Sequence, residues 1–592
     1  MYSDLKNVQI IVALLKKYEI KDIVISAGTR HTPFVYSVEH DSFFKCYSIV
    51  DERSASFFAL GLIQAQKKPV VISCTSGTAA CNYVSAVNEA FFQQLPLVVI
   101  TADRNPYYLY QQEEQMVPQL NLYKDVCKKK VNLPIVRDEK DFWYCSRLVN
   151  EALLELNHRV QGPVHINFPV ENNYPIYQGI VKFNTDELPS ITKISRLLLE
   201  DGEEAWKSKA KELCSYSKIM IIYGQHGPIT KKEKAIIERF VQKYNCIVSV
   251  DHLSNLTCSK SIPTFLCCKM INPAYFLRLC PDIVITMNGS TISEIKTKLL
   301  YFTGKYKHWH VSEEGMISDP FQCQTDIIEC KPITFFKKFG DYADTEEENS
   351  YFKMWYKQME PLEKNGGLYN ADLKYSSIYA VQQFMKKIPT NSLFHIANSN
   401  SVRITNYFVL DESIDVYCNR GTNGIDGSMS AFIGQAYITQ RLSFLLIGDL
   451  SFFYDMNALW NRYIGNNIRI LVCNNSGGAI FHNYPNTSNV PTLDEHIAAA
   501  HQTSVESWVK SRGFNYISAK NKEEFNKKLN LLMVEKSDKP ILLEVFTNKD
   551  IDVKEMNSIL DNYKSKGNKL TKKMTTYMPE KMIKKIKKIL KK

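Results

Sequence analysis

Leu442-Ser443-Phe444-Leu445-Leu446-Ile447-Gly448-Asp449 is an apolar run that ends on an acid, and Ile468-Arg469-Ile470-Leu471-Val472-Cys473-Asn474-Asn475 is a second that ends on two amides. Short apolar runs bounded by turn residues predict buried strands. Residues 455–464, between them, predict a helix. Strand, helix, strand is a crossover unit, so Asp449 and Asn475 should emerge side by side at the carboxyl edge of a parallel sheet. Ligands of open α/β sheets bind at that edge. A carboxylate, an amide oxygen and a nearby backbone carbonyl, for which Gly477 is the candidate, are hard oxygen donors. They suit a Mg²⁺ that keeps other positions for phosphate oxygens. Asp and Asn also end strands through ordinary turn chemistry, so the pair needs support from elsewhere in the chain.

Outward from this pair the chain alternates strands and helices nearly throughout, which predicts α/β architecture with three doubly wound parallel sheets. A first domain over 1–184 carries the runs Asp22-Ile-Val-Ile-Ser26, Lys68-Pro-Val-Val-Ile-Ser73 and Leu95-Pro-Leu-Val-Val-Ile-Thr101. A middle α/β domain over 185–365 has its own runs at Lys218, Cys246 and Asp282, and its polar stretch 341–350 predicts a surface loop. A third domain, 366–560, holds Asp449 and Asn475 and resembles the first in size and pattern. Residues 561–592 form a basic tail whose Met582, Ile583, Ile586, Ile589 and Leu590 fall on one helical face. Such a helix suits peripheral contact with an anionic membrane, or a solvated terminus.

With 592 residues, 45% hydrophobic and 23% charged, the composition is that of a multidomain globular protein. The net charge of +11 is misleading until it is located. From Asp561 onward twelve Lys oppose Asp561 and Glu580, a balance of +10, which leaves about +1 for the first 560 residues. That removes the argument for nucleic-acid binding by the body. The N-terminus predicts an amphipathic helix rather than a signal peptide, and no run reaches the ~18 apolar residues of a membrane span. Fifteen scattered Cys, with Cys267-Cys268 the one adjacent pair, predict free thiols and a cytoplasmic location.

A second chemical feature lies in the first domain. The stretch Ile49-Val-Asp-Glu52-Arg-Ser-Ala-Ser-Phe-Phe-Ala-Leu-Gly-Leu62 places Glu52 before or within the first turn of an apolar helix. There a Glu favours the helix dipole whatever else it does. It also matches a requirement of thiamin diphosphate chemistry, a buried carboxyl group that hydrogen-bonds N1′ of the aminopyrimidine and promotes the tautomer that removes the thiazolium proton.

The order Glu-bearing domain, middle domain, Mg²⁺-diphosphate domain resembles the thiamin-diphosphate decarboxylase and synthase superfamily. Within it, residues 1–560 are most similar to the 2-succinyl-5-enolpyruvyl-6-hydroxy-3-cyclohexene-1-carboxylate synthase family of menaquinone biosynthesis. The blocks that carry the resemblance are Ser26-Ala-Gly-Thr-Arg30, Asp51-Glu-Arg53, Thr75-Ser-Gly-Thr78, Thr101-Ala-Asp-Arg104, Asn419-Arg-Gly-Thr-Asn-Gly-Ile-Asp-Gly427, Leu446-Ile-Gly-Asp-Leu450, Tyr454-Asp-Met-Asn457 and Asn474-Asn-Ser-Gly-Gly-Ala-Ile-Phe481. The superfamily usually has Gly where Leu450 stands, so that residue narrows the family.

The resemblance implies thiamin diphosphate with Mg²⁺, for which Mn²⁺ can substitute, and a homodimer or homotetramer with sites between subunits. It implies Glu52 as the N1′ partner, Thr75 and Gly77 beside the pyrimidine, Asp449, Asn475 and the Gly477 carbonyl on the metal, Thr422 and Asn423 at the diphosphate, and Ile425 under the bent cofactor with Ile480 near it. The implied reaction decarboxylates 2-oxoglutarate and adds the four-carbon unit to isochorismate. Both are carboxylates, for which Arg forks are suited. Ser399, Arg403 and Arg420 match the oxo-acid side; Thr29, Arg30, Arg104 and Gln115 match the acceptor side; Ile480, Phe481 and Tyr484 wall the pocket.

The chain departs from the family pattern in three places. Ala27 replaces a rigid Pro, and His31 stands where a small residue is common. A middle-domain Lys-Arg pair that faces the acceptor is absent; Glu294 and Ile295 align with it, and Lys296 or Lys298 reaches it only by a shift. A carboligase with another acceptor, such as a nucleotide-sugar ketone or aldehyde, is therefore the alternative, and a non-catalytic homologue is a third. The middle domain lacks a Gly-x-Gly-x-x-Gly turn, so no flavin is expected.

Overall fold

The computed structural model describes residues 1–170, 182–271, 273–292, 294–343, 349–364, 367–561 and 563. The chain forms two compact units, one made mainly of residues 1–196 and the other of most of the remainder. The first unit holds a six-stranded parallel sheet in the spatial order Lys45–Ser48, Asp22–Ile25, Val70–Cys74, Leu97–Arg104, Val164–Val170, Lys129–Asn132. Val70–Cys74 and Val164–Val170 are buried at every residue. A parallel strand covered by helices on both faces has no solvent side, which is why these stretches read as continuous apolar runs.

The second unit contains two parallel arrangements. In one, Ser261–Ile262, Cys246–Ser249, Ile219–Tyr223, Ile283–Met287 and Lys307–Val311 pair in that order. In the other, six strands run Asp415–Tyr417, Leu393–Ile396, Ser443–Gly448, Ile468–Asn474, Ile541–Phe546, Asn515–Ala519. Numbered along the chain, this sheet and that of the first unit share one spatial order, 2-1-3-4-6-5. The winding reverses between the first and third strands of each, and the crevice outside the carboxyl ends there is the ligand position of open α/β sheets.

Three expectations need correction. No α-helix covers 455–464. The helix after Ser443–Gly448 is Asp449–Tyr454, followed by a 3₁₀ turn over Met456–Trp460. The Asp455 carboxylate is committed elsewhere, accepting from the Ser430 amide at 2.7 Å and its hydroxyl at 2.6 Å, so it does not cap a helix of its own. The N-terminal helix Lys6–Lys17 is not amphipathic in its setting, because every residue from Asn7 to Leu15 is buried. Its polar side is absorbed internally, with Asn7 donating to the Pro169 carbonyl and Gln9 to that of Ser3. Finally, 341–350 is not all loop. Helix Pro332–Tyr342 runs into it and helix Ser350–Lys364 begins within it.

Apart from 561 and 563, the basic tail lies outside the described residues. Among the described residues no helix is long and apolar enough to cross a membrane. Among the described residues none of the fifteen cysteines forms a disulfide; ten are buried and one, Cys214, is exposed. Burial pushes Cys127, Cys246 and Cys267 up to about 12.

Candidate active site

In the second unit, Gly448 pairs with Cys473 in the parallel ladder, so the residues that follow each strand leave the sheet together. Asp449 opens its helix and is 3% exposed. Its Oδ1 accepts from the Leu450 amide at 2.7 Å and its Oδ2 from the Gly477 amide at 2.9 Å. His501 Nε2 stands 3.3 Å from Oδ2, while His501 Nδ1 accepts from the Thr503 amide. The strand ends at Asn474, whose side chain is spent on structure, donating to the Thr503 carbonyl and Glu544. Asn475 is the residue that turns into the crevice. Its Nδ2 donates to Asp552 Oδ2 at 2.8 Å, which leaves Oδ1 as the atom for a ligand. Asp552 is itself held by the Ser377 amide and hydroxyl and by Thr547.

Gly477 sits at φ +140°, and a Cβ there would stand 2.7 Å from the Ala498 carbonyl. The backbone can close on Asp449 in this way only with glycine. These groups line a cavity of about 130 Å³ together with Ser399, Ile425, Ile480 and Phe481. Thr422 and Asn423 do not line it; they are exposed on the neighbouring loop, Asn423 at φ +62°.

Asn398, not singled out in the sequence, organises that loop. It follows strand Leu393–Ile396 at the switch point and is 2% exposed. Its Nδ2 donates to the carbonyls of Asn419 and Gly424, and its Oδ1 accepts from Arg420 Nη1 at 3.2 Å. Arg420 is 7% exposed. Burial lowers its pKa from the ordinary value; Cys418 and Asp251 oppose the shift and Arg403 adds to it. Arg403 donates to the Ser399 carbonyl at 2.7 Å, and Ser399 takes the left-handed φ of +68°. A second cavity, about 270 Å³, is lined by Arg403, Ile480 and Tyr484 together with Lys269 and Glu294. Two guanidinium groups in one electrostatic field, one of them buried, favour an anion between them.

The first unit gathers the other expected residues at its own switch point. The Arg30 amide donates to Thr75 Oγ1 at 3.1 Å. Gly28 lies so close to Thr75 that a Cβ would stand 2.4 Å from the Thr75 Cβ, and Gly77, at φ +85°, faces the Gln115 backbone. Burial and then Arg104 lower the pKa of Arg30, with Glu113 and Asp103 pulling the other way. Arg104 is 7% exposed and forms an ion pair with Glu113, a partner that no sequence pattern announced. Thr29 and Gln115 are exposed. Glu52 is the first residue of helix Glu52–Gln66, capped by Asp51, and accepts from Asn82 at 3.1 Å. It is half-buried rather than buried, on a helix that also exposes Phe57 and Phe58.

Comparison with known proteins shows the family. Residues 5–122 match the family described as thiamine pyrophosphate enzyme, N-terminal TPP binding domain. Among curated relatives, a 2-succinyl-5-enolpyruvyl-6-hydroxy-3-cyclohexene-1-carboxylate synthase of Phocaeicola vulgatus is 37% identical over 571 residues, covering 96% of this chain and 100% of the relative. The synthase of Bacteroides fragilis is 37% identical over 559 residues, covering 94% and 98%. That of Flavobacterium johnsoniae is 32% identical over 563 residues, covering 92% and 97%. The chain belongs to this synthase family.

The cofactor of this synthase family is thiamin diphosphate with a divalent cation such as Mg²⁺, and the residues present fit it. Among the described residues no group of three or more His, Cys, Asp or Glu could hold a metal ion. A cation here therefore relies on the mixed set that a hard, partly hydrated ion accepts: one carboxylate, one amide oxygen and a carbonyl. Among the described residues the Ser428 hydroxyl and the Asn400 amide oxygen are buried without a partner, and Asn400 lines the Asp449 cavity. Unsatisfied polar atoms at a crevice are the expected mark of a site completed by a ligand.

Proposed function

We propose that this chain catalyses the reaction of its family, decarboxylation of 2-oxoglutarate on thiamin diphosphate and addition of the four-carbon unit to isochorismate. When bound, the cofactor supplies the carbanion-stabilising chemistry. Asp449, Asn475 and the Gly477 carbonyl hold its cation, and the loop pinned by Asn398 meets its diphosphate. Glu52 holds the proton at the pyrimidine nitrogen. Arg420 and Arg403 take the oxo-acid carboxylate, and Arg30, Arg104 and Gln115 take the acceptor.

The observation that carries this reading is the Asp449 carboxylate. Among the described residues it is buried with His501 beside it and no Lys or Arg partner, fixed by two backbone amides, and set beside an amide whose nitrogen is already used. The exposed Phe57 and Phe58 on the Glu52 helix, with exposed Phe92 on the helix Val84–Phe92 that packs against it, support a subunit interface there, and hence a homodimer or larger assembly. The near-neutral body leaves any contact with an anionic membrane to the tail.

The test is CO₂ release from 2-oxoglutarate and from pyruvate with thiamin diphosphate and Mg²⁺, then product formation with isochorismate against a panel of nucleotide sugars. Preference for 2-oxoglutarate and isochorismate is the expected result, abolished in Glu52→Gln. Turnover of a nucleotide sugar in preference to isochorismate would overturn the assignment of the acceptor.

A further inference from the structure

Arg403 shares its cavity with a lysine from the middle of the chain. Lys269, on helix Thr264–Met270, enters the space of about 270 Å³ alongside Glu294, Tyr407 and Tyr484. Its Nζ lies 3.2 Å from Glu294 Oε1 and 5.1 Å from the centre of the Phe265 ring. This cavity and the one around Asp449 share Asn400, Ile480 and Met556, so they adjoin. Its charged groups are two cations and one carboxylate, an excess of positive charge beside the metal position. An ammonium among aromatic rings normally loses affinity for its proton through desolvation. Here burial lowers Lys269, but Tyr407 and Glu294 outweigh it and keep the group above its ordinary value.

The other lysines near this place are not available. Lys298 donates to the Ile271 carbonyl at 3.0 Å, and Lys296 is exposed. Glu294 begins helix Glu294–Leu300, which packs against the Lys269 helix, so the ammonium is delivered to the place where residue 294 itself presents an acid.

We propose that Lys269 binds a carboxylate of the acceptor and that Glu294 is the counter-ion which this carboxylate displaces. The proposal rests on the function read above, in which Arg403 and Arg420 take the oxo acid and the incoming acceptor brings further carboxylates. A carboxylate that replaces Glu294 gains a charge-assisted hydrogen bond and lies within the field of Arg403. Glu294 thereby sets the threshold: a weakly anionic or neutral acceptor does not displace it.

The experiment varies 2-oxoglutarate and isochorismate separately, using the full chain with thiamin diphosphate and Mg²⁺. Lys269→Met should raise the KM for isochorismate about tenfold or more and that for 2-oxoglutarate by less than about twofold, the pattern of lost binding to one substrate. Lys269→Arg should recover most of the loss. Glu294→Gln should lower the KM for isochorismate by about threefold, because the competitor is gone. A merely structural ion pair would move both variants in the same direction, and that result overturns the proposal. So does a rise confined to 2-oxoglutarate. If Lys269→Met fails to fold, Glu294→Gln decides alone, an unchanged or raised isochorismate KM being the overturning result. A wild-type chain that does not join the two substrates defeats the functional reading itself, an outcome distinct from an active wild type with the wrong variant pattern.

Discussion

Replacing Asp552 with Asn tests how the metal position is built. Asp552 is 2% exposed. Its Oδ1 accepts from the Ser377 amide at 2.6 Å. Its Oδ2 accepts from the Ser377 hydroxyl at 2.6 Å, Thr547 Oγ1 at 3.0 Å and Asn475 Nδ2 at 2.8 Å. In Asp552→Asn one oxygen becomes an NH₂ donor. The Ser377 N–H belongs to the backbone and cannot turn away, whereas hydroxyls can rotate and accept. The NH₂ should therefore take the Oδ2 side, opposite the Asn475 NH₂. Two donors then face each other, and Asn475 relieves this by turning, which points its nitrogen where its oxygen was. A hydrogen bond to a charged group contributes about 1.5–3 kcal/mol, so Mg²⁺ affinity should fall roughly 10- to 150-fold. The assay is activity against Mg²⁺ concentration at saturating thiamin diphosphate, with a thermal melt to confirm folding. A folded variant whose Mg²⁺ half-saturation stays within about twofold of wild type would refute the argument that Asp552 orients Asn475.

Other perturbations follow from the same geometry. Gly477→Ala forces a Cβ toward the Ala498 carbonyl at a φ that side chains avoid, and should cost about 1–3 kcal/mol along with cation binding, read by melting with and without Mg²⁺. Asn398→Ala releases the carbonyls of Asn419 and Gly424, and calorimetry should show the dissociation constant of thiamin diphosphate rising roughly 10- to 100-fold. Burial draws His31, His310 and His395 down to about 4 and His165 to about 3. Below the unfolded value of about 6.5 the unfolded chain takes up protons that the folded chain refuses, so stability is complete above that pH and falls as pH drops toward 4, by up to about 3 kcal/mol per histidine. A urea midpoint that does not change between pH 7 and pH 4.5 would contradict this.

What the sequence disclosed and what it withheld divide along physical lines. Strands such as Ser443–Gly448 and Ile468–Asn474 were legible because a parallel strand buried on both faces must be apolar throughout. Asp449 and Asn475 were legible because the chain order of a crossover unit fixes which ends meet. Asn398, Asp552 and Glu113 were not, since each acts through a partner far along the chain, or on a loop, and leaves no periodic trace. The helix expected over 455–464 failed because the Asp455 carboxylate is engaged by Ser430, far back in the chain, rather than by its own segment. Lys269 escaped for a related reason. It lies on the helix packed against the one that carries Glu294, so no spacing along the chain links the two.

The distribution of thiols gives the chain a built-in clock. Cys214 alone is exposed, and Cys46, Cys81, Cys127 and Cys323 are partly covered. A reagent that attacks thiolate should therefore modify one site quickly in the native protein, a few more slowly, and the ten buried sites only when the backbone opens around them. Cys46, Cys74, Cys81, Cys127 and Cys145 fall in the first compact unit and the other ten in the second. Mass spectrometry of alkylated peptides can thus time the opening of each unit separately without introducing a label, and a ligand that locks one unit should slow the modification of that unit's cysteines first.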